Sequence, residues 1–115
     1  MRQPTPPVTK EDVARVVRRD FPREDYGLVM SILAEYGDRE SYRVMLAALK
    51  MSDGKLDELK RQIELARCDY RDVIAPAEYP GYSRQWSRVS QMSQPKIRKI
   101  IEQDWKQYQT WLYKE

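Results

Sequence analysis

No histidine occurs in the chain, and there is one cysteine, Cys68, among 115 residues. The first absence removes imidazole acid–base chemistry and every nucleophile that a histidine would activate. Together the two exclude an internal disulfide and ordinary zinc sites built from one chain's Cys and His. A lone thiol fits a reducing compartment. Glycine is nearly as sparse, with four isolated residues, so no phosphate-cradling loop of P-loop or dinucleotide type can be assembled. No apolar run reaches the length of a membrane span, and the opening MRQPTPPVTK lacks the apolar core of a signal peptide. The expectation is a cytoplasmic protein with no membrane segment and no cofactor.

What is present points to one globular domain. Apolar residues make up 41% and charged residues 34%, a balance that supports a packed core rather than disorder. The formal charge of +3 is too small for the dense basic footprint of a DNA-binding domain. Long-chain helix formers dominate while Val and Thr are few, so the expected class is all-α.

The pattern divides into an arm and about five helices. Residues 1–8 carry three prolines and no periodicity, which predicts a flexible N-terminal arm before a helical domain over 9–115. Thr9 and Asp12 can cap a helix over about 10–20, with Val13, Val16 and Val17 inside. Pro22 opens a second helix, with Leu28, Val29, Ile32, Leu33 and Tyr36 on one side and Gly37 as its stop. Asp38 is placed to cap a third helix, 38–51, with Tyr42, Met45, Leu46 and Leu49 buried.

After the turn Ser52-Asp53-Gly54 comes the clearest signal. Leu56, Leu59, Ile63, Ala66, Tyr70 and Val73 follow spacings of 3, 4, 3, 4 and 3, an apolar seam along a fourth helix over 54–74. Pro76 is expected to end it. Helices 38–51 and 54–74 form an antiparallel pair, and a last helix from about Pro95 packs across them. Ile97, Ile101, Tyr108 and Trp111 or Leu112 line its inner face. The result is a single-domain irregular bundle.

Three weaker features lie near the end of the fourth helix. Leu65 and Cys68 stand off the seam, which suggests a second contact, either inside the fold or with another chain. Asp69 and Asp72 share nearly one helical face. A hard cation could use such a pair, but Arg67 and Arg71 are adjacent and no further carboxylate sits at metal-loop spacing, so a salt-bridged pair and no metal is the reading. Cys68 has no histidine to activate it and lies inside a helix, away from the N-terminal position that favours a thiolate.

The stretch CDYRDVIAPAEYPGYSRQW, residues 68–86, breaks the helical rhythm. No acid occurs from Tyr79 to Ile101, where Arg84, Arg88, Lys96, Arg98 and Lys99 give +5, against −2 over residues 53–78. Tyr79, Tyr82 and Trp86 are interleaved with this charge. Aromatic and arginine side chains are enriched in protein–protein hot spots, and the same types hold single-stranded nucleic acid by stacking and phosphate contact. The structural alternative is a crossover that packs its aromatics on the bundle and pairs its arginines with Asp69, Asp72 or Glu78. A helical turn near 82–90 is expected, because long unstructured loops are uncommon in compact domains.

Residues 46–82, in which Asp69-Tyr70-Arg71-Asp72-Val73 is followed by Ala77-Glu78-Tyr79-Pro80, resemble small uncharacterised bacterial all-helical proteins. The resemblance spans about a third of the chain. It implies a bacterial source and an all-α fold, and carries over no site residue. Function is therefore read from the residues alone. The expectation is a non-enzymatic interaction module that binds a protein partner or itself, possible homodimer included, through Tyr79, Tyr82, Arg84, Trp86, Arg88 and Lys96. The Leu65/Cys68 edge is a second candidate interface. The competing reading is weak nucleic-acid binding through the same basic segment.

Overall fold

The computed structural model describes residues 5–115. Helix formation starts at Thr9. Its hydroxyl accepts from the Asp12 N–H at 3.4 Å, and the Asp12 carboxylate accepts from the Thr9 N–H at 2.9 Å. This reciprocal capping box satisfies donors that a first turn leaves free. Helix α1 runs Lys10–Asp20, with Glu11 and Asp12 in its first turn and Arg18 and Arg19 in its last, each complementing the helix dipole. Val13, Val16 and Val17 are buried, as their spacing predicts.

A 3-10 turn, Arg23–Asp25, leads into α2, Tyr26–Ala34, which is shorter than the helix expected there. Val29, Ile32, Leu33 and Tyr36 make the inner face, so Leu28, one position off that stripe, is 49% exposed rather than buried. The Tyr36 hydroxyl donates to the Arg39 carbonyl at 2.7 Å and holds the connection as a turn. Asp38 consequently does not cap the next helix. Glu40, in the left-handed region at φ 57°, precedes α3, Ser41–Ser52. Val44, Leu46, Ala47, Ala48 and Leu49 are all buried, whereas Tyr42, expected inside, is 42% exposed. Helix α3 meets α1 on one side and the two following helices on others, so it is the centre of the fold.

At the turn after α3 the Ser52 hydroxyl donates to the Leu49 carbonyl, and Asp53 and Gly54 both take positive φ. A Cβ on Gly54 would stand 3.1 Å from the Asp20 carbonyl oxygen, so both its angle and its neighbour favour glycine. Helix α4, Leu56–Cys68, then packs back along α3.

The single helix expected over 54–74 is in fact two. Asp69 is extended, its carboxylate accepts from the Arg71 N–H at 3.0 Å, and its carbonyl accepts from the Asp72 N–H at 3.1 Å. Asp69 thereby starts a new helix, α5, Arg71–Glu78, and Pro76 lies inside it rather than beyond its end. Burial of Val73, Ile74 and Ala77 keeps the chain helical through the proline, overriding a local preference. The seam survives the break. Leu59, Ile63, Ala66 and Val73 are buried, while Leu56 and Tyr70 are half-buried against the same core.

Helix α6, Pro80–Arg84, a 3-10 turn, Trp86–Gln91, and helix α7, Gln94–Tyr113, complete the all-α bundle. Ser93 caps α7 by accepting from the Lys96 N–H. Helix α7 packs principally on α5 and α6, not across α3 and α4 as expected. Tyr108 and Leu112 join the main core, whereas Ile97, Ile100 and Ile101 are buried outside it, beside α6. The far end of α7 is held by α1. Arg15 donates to the Leu112 carbonyl at 2.6 Å, and Arg19 donates to the carbonyls of Trp111 and Lys114 at 2.7 and 3.0 Å. These are the acceptors that a helix C-terminus leaves open. Of the arm expected over 1–8, residues 1–4 lie outside the described residues. Pro6 is buried and lines a small cavity of about 10 Å³ with Glu78, Tyr79, Trp105 and Tyr108.

Candidate interaction surface

The basic, acid-free segment is seated on one buried acid just beyond it. Asp104, 6% exposed on α7, accepts from the N–H groups of Gly81 and Tyr82 at 2.8 and 2.9 Å. It caps α6 from across the fold, where Pro80 at the first position has no N–H to offer. A Cβ on Gly81 would come within 2.8 Å of Asp104 Oδ1, so a side chain here would push that carboxylate aside. One turn along α7, Gln107 donates to the carbonyls of Ala77 and Glu78 that end α5. Helix α7 thus grips both sides of the Tyr79–Pro80 joint.

The other side of the joint is held by an ion pair. Arg43 on α3 meets Glu78 with two bonds of 2.7 Å, and Glu78 is 5% exposed. Burial pushes the Glu78 carboxyl above the ordinary glutamate value, and the guanidinium works against that rise. The Arg43 guanidinium is raised in turn, chiefly by its bonds to Glu78. Burial also raises the Tyr79 hydroxyl, with the Glu78 charge adding to it.

On this mount the aromatics form a ladder. Tyr79 and Tyr82 stand edge-to-face with centroids 6.2 Å apart, and Tyr82 and Trp86 likewise at 5.8 Å. Tyr79 packs on the main core, Tyr82 is half-buried, and Trp86 is 70% exposed. Spacings of three and four residues put the rings on one side of a helical path, although α6 gives way to the 3-10 turn between them. That turn buries none of its residues, and Val89 and the adjoining Met92 are only partly covered.

The crossover is helical, as the expected turn near 82–90 anticipates. Its arginines, however, do not find acids. Glu78 is taken by Arg43, Asp69 pairs with Arg71 at 3.0 Å, and Asp104 is occupied by backbone donors. Arg84, Arg88 and Lys96 are exposed, and none has a carboxylate within 4.0 Å among the described residues.

Compared with protein-family models, with curated proteins and with solved structures, the chain matches none. The surface must therefore be read from its own chemistry.

The remaining sequence candidates separate. Leu65 packs half-buried against the main core, while Cys68 is exposed at the end of α4. Asp69 and Asp72 do not share a helical face, because Asp69 lies in the break before α5. Hydrogen bonds from the Arg71 side chain and N–H hold the Asp69 carboxyl below its usual value. Sequence reasoning missed Arg43, Asp104 and Gln107. Asp104 carried one available signal, as an acid in the otherwise apolar face that Ile97, Ile100, Ile101, Tyr108 and Leu112 define. Nothing local marks Arg43, whose partner lies 35 residues away.

Proposed function

We propose that the chain is a non-enzymatic module that docks a protein partner carrying an acidic surface, with Trp86 as the anchor and the exposed Arg84, Arg88 and Lys96 of the same segment as its cations. The observation that carries this reading is Trp86, 70% exposed at the tip of a ladder rooted in the core. A tryptophan this exposed adds little to the monomer's stability beyond its edge contact with Tyr82, whereas an aromatic anchor in an arginine-bearing segment has the composition of an interface hot spot. Tyr79 and Tyr82 hold the ring in place, which lowers the ordering cost of binding. Cationic residues without partners favour acidic surfaces and repel basic ones.

The test is capture of partners on the immobilised full chain, compared with Trp86→Ala and with the pair Arg84→Glu and Arg88→Glu. Partners lost in both variants, while thermal unfolding shows both still folded, support the module. Capture that is indifferent to both sinks it. Nucleic acid is the second reading, favoured by the five unopposed cations over 79–101. It requires binding to single-stranded oligothymidine or oligouridine that weakens steeply with salt. Absence of any such binding at low salt removes it.

A further inference from the structure

At the elbow between α1 and α2 the chain encloses a groove of about 520 Å³, lined by Val17, Arg18, Phe21, Pro22, Arg23 and Tyr26. Small-ligand sites occupy roughly 300 to 1,000 Å³, so this volume is of the right order. Val17 and Phe21 lie beneath it, almost wholly closed over in the core, so the apolar surface open to the groove belongs to the exposed Pro22 and the half-buried Tyr26. Arg18 and Arg23 are exposed at its rim. The Arg18 guanidinium lies over the Tyr26 ring, 5.3 Å from its centroid, which fixes the head group beside the groove.

The arginines of α1 divide by role. Arg15 and Arg19 donate to carbonyls at the end of α7 and pair with Asp12 and Asp20. Arg18 has no such engagement. Neither it nor Arg23 has a carboxylate within 4.0 Å among the described residues, although Glu24 and Asp25 follow directly in sequence. Neither of those acids lines the groove.

We propose that this groove binds a small aromatic carboxylate, with its ring against Pro22 and the edge of Tyr26 and its carboxylate between the guanidinium groups of Arg18 and Arg23. An uncharged ligand would gain nothing from the two cations. A bare inorganic anion would leave the apolar surface of Pro22 in water. Arginine's planar fork matches a carboxylate in geometry as well as charge. The site shares no residue with the Trp86 surface and stands or falls separately from it.

The test uses the full chain and 1-naphthoate, followed by amide chemical shifts. Saturable shifts confined to residues 17–26 are expected. Arg18→Gln and Arg23→Gln should each weaken binding by roughly tenfold, the scale of one charged hydrogen bond. The neutral analogue 1-naphthalenemethanol should bind the unmodified chain at least about tenfold more weakly, a comparison that needs no variant to fold. No saturable shift at millimolar naphthoate, equal affinity for the alcohol, or shifts centred on Tyr79–Trp86 would each overturn the proposal.

Discussion

Asp104 is the residue on which the candidate surface most depends, and its environment makes a sharp forecast. Both carboxylate oxygens accept backbone N–H groups, and removing them leaves two donors near the interior without partners. Asp104→Ala should cost about 1.5–3 kcal/mol, the range for a hydrogen bond to a charged group. Gly81→Ala presses a methyl on the same carboxylate, an overpacking cost of about 1–3 kcal/mol that is offset by up to about 1 kcal/mol of helix propensity, so a smaller net loss is expected. Urea denaturation of both variants checks this, and a stabilised Gly81→Ala would refute the close approach. At the Arg43–Glu78 pair, Arg43→Ala abandons a buried carboxylate and should cost about 3–5 kcal/mol. Arg43→Met with Glu78→Leu should restore much of that loss, because what is expensive is the uncompensated charge. The capping residue Asp12 gives a pH signature. Partial burial pushes its carboxyl up, but bonds from the Thr9 N–H, Arg15 and the Thr9 hydroxyl outweigh it and hold it below 3.8. An acid lowered in the folded state stabilises above its unfolded value and loses that contribution as pH falls through the folded one. The acid limb below about pH 4 should therefore be shallower in Asp12→Asn than in the parent, measured by denaturation across that range.

At the scale of elements, the lesson lies in α4 and α5. The seam from Leu56 to Val73 was legible because spacing decides which residues face inward: Leu59, Ile63, Ala66 and Val73 are inside, and Leu56 and Tyr70 are half-buried against them. The break at Asp69 was not, because an uninterrupted apolar period cannot register that two shorter helices present the same stripe. The signal lay in Asp69 and Asp72, three apart, an acidic side chain ahead of a first turn, which reads equally well as two acids on one face. Pro76 misled for a related reason, since three buried neighbours outweigh its local preference. In the candidate surface, Tyr79, Tyr82, Trp86 and the three cations were legible from charge and aromatic clustering. The groups that hold them were not, because Arg43 and Asp104 act across long sequence separations. The Trp86 turn makes its own forecast. Since Trp86 is mostly exposed and its ring pairs with Tyr82, Trp86→Ala should cost no more than about 1.5 kcal/mol while abolishing partner capture, a pairing that a purely structural role would not produce.

The whole molecule is drawn out. The Cα radius of gyration is 14.7 Å and the extents are 48 × 31 × 21 Å, where a compact domain of this length would have a radius near 13 Å. The C-terminal half of α7 joins the main core, while α6, which the 3-10 turn adjoins, packs on α7 beside a separate patch of isoleucines. Among the described residues, no helix is long and apolar enough to cross a membrane. Self-association through the tip would pair like charges, which disfavours a symmetric contact at Arg84 and Arg88. Sedimentation at micromolar concentration should accordingly show no dimer that Trp86→Ala dissolves.

A helix of five residues frays on its own, yet α6 has its leading amides aimed at a shielded carboxylate on another helix. Gly81 and Tyr82 can release their hydrogens to solvent only when α6 and that carboxylate part, so their deuterium uptake clocks the separation of α6 from α7. A ligand that settles on the tryptophan tip would slow both amides together without touching either.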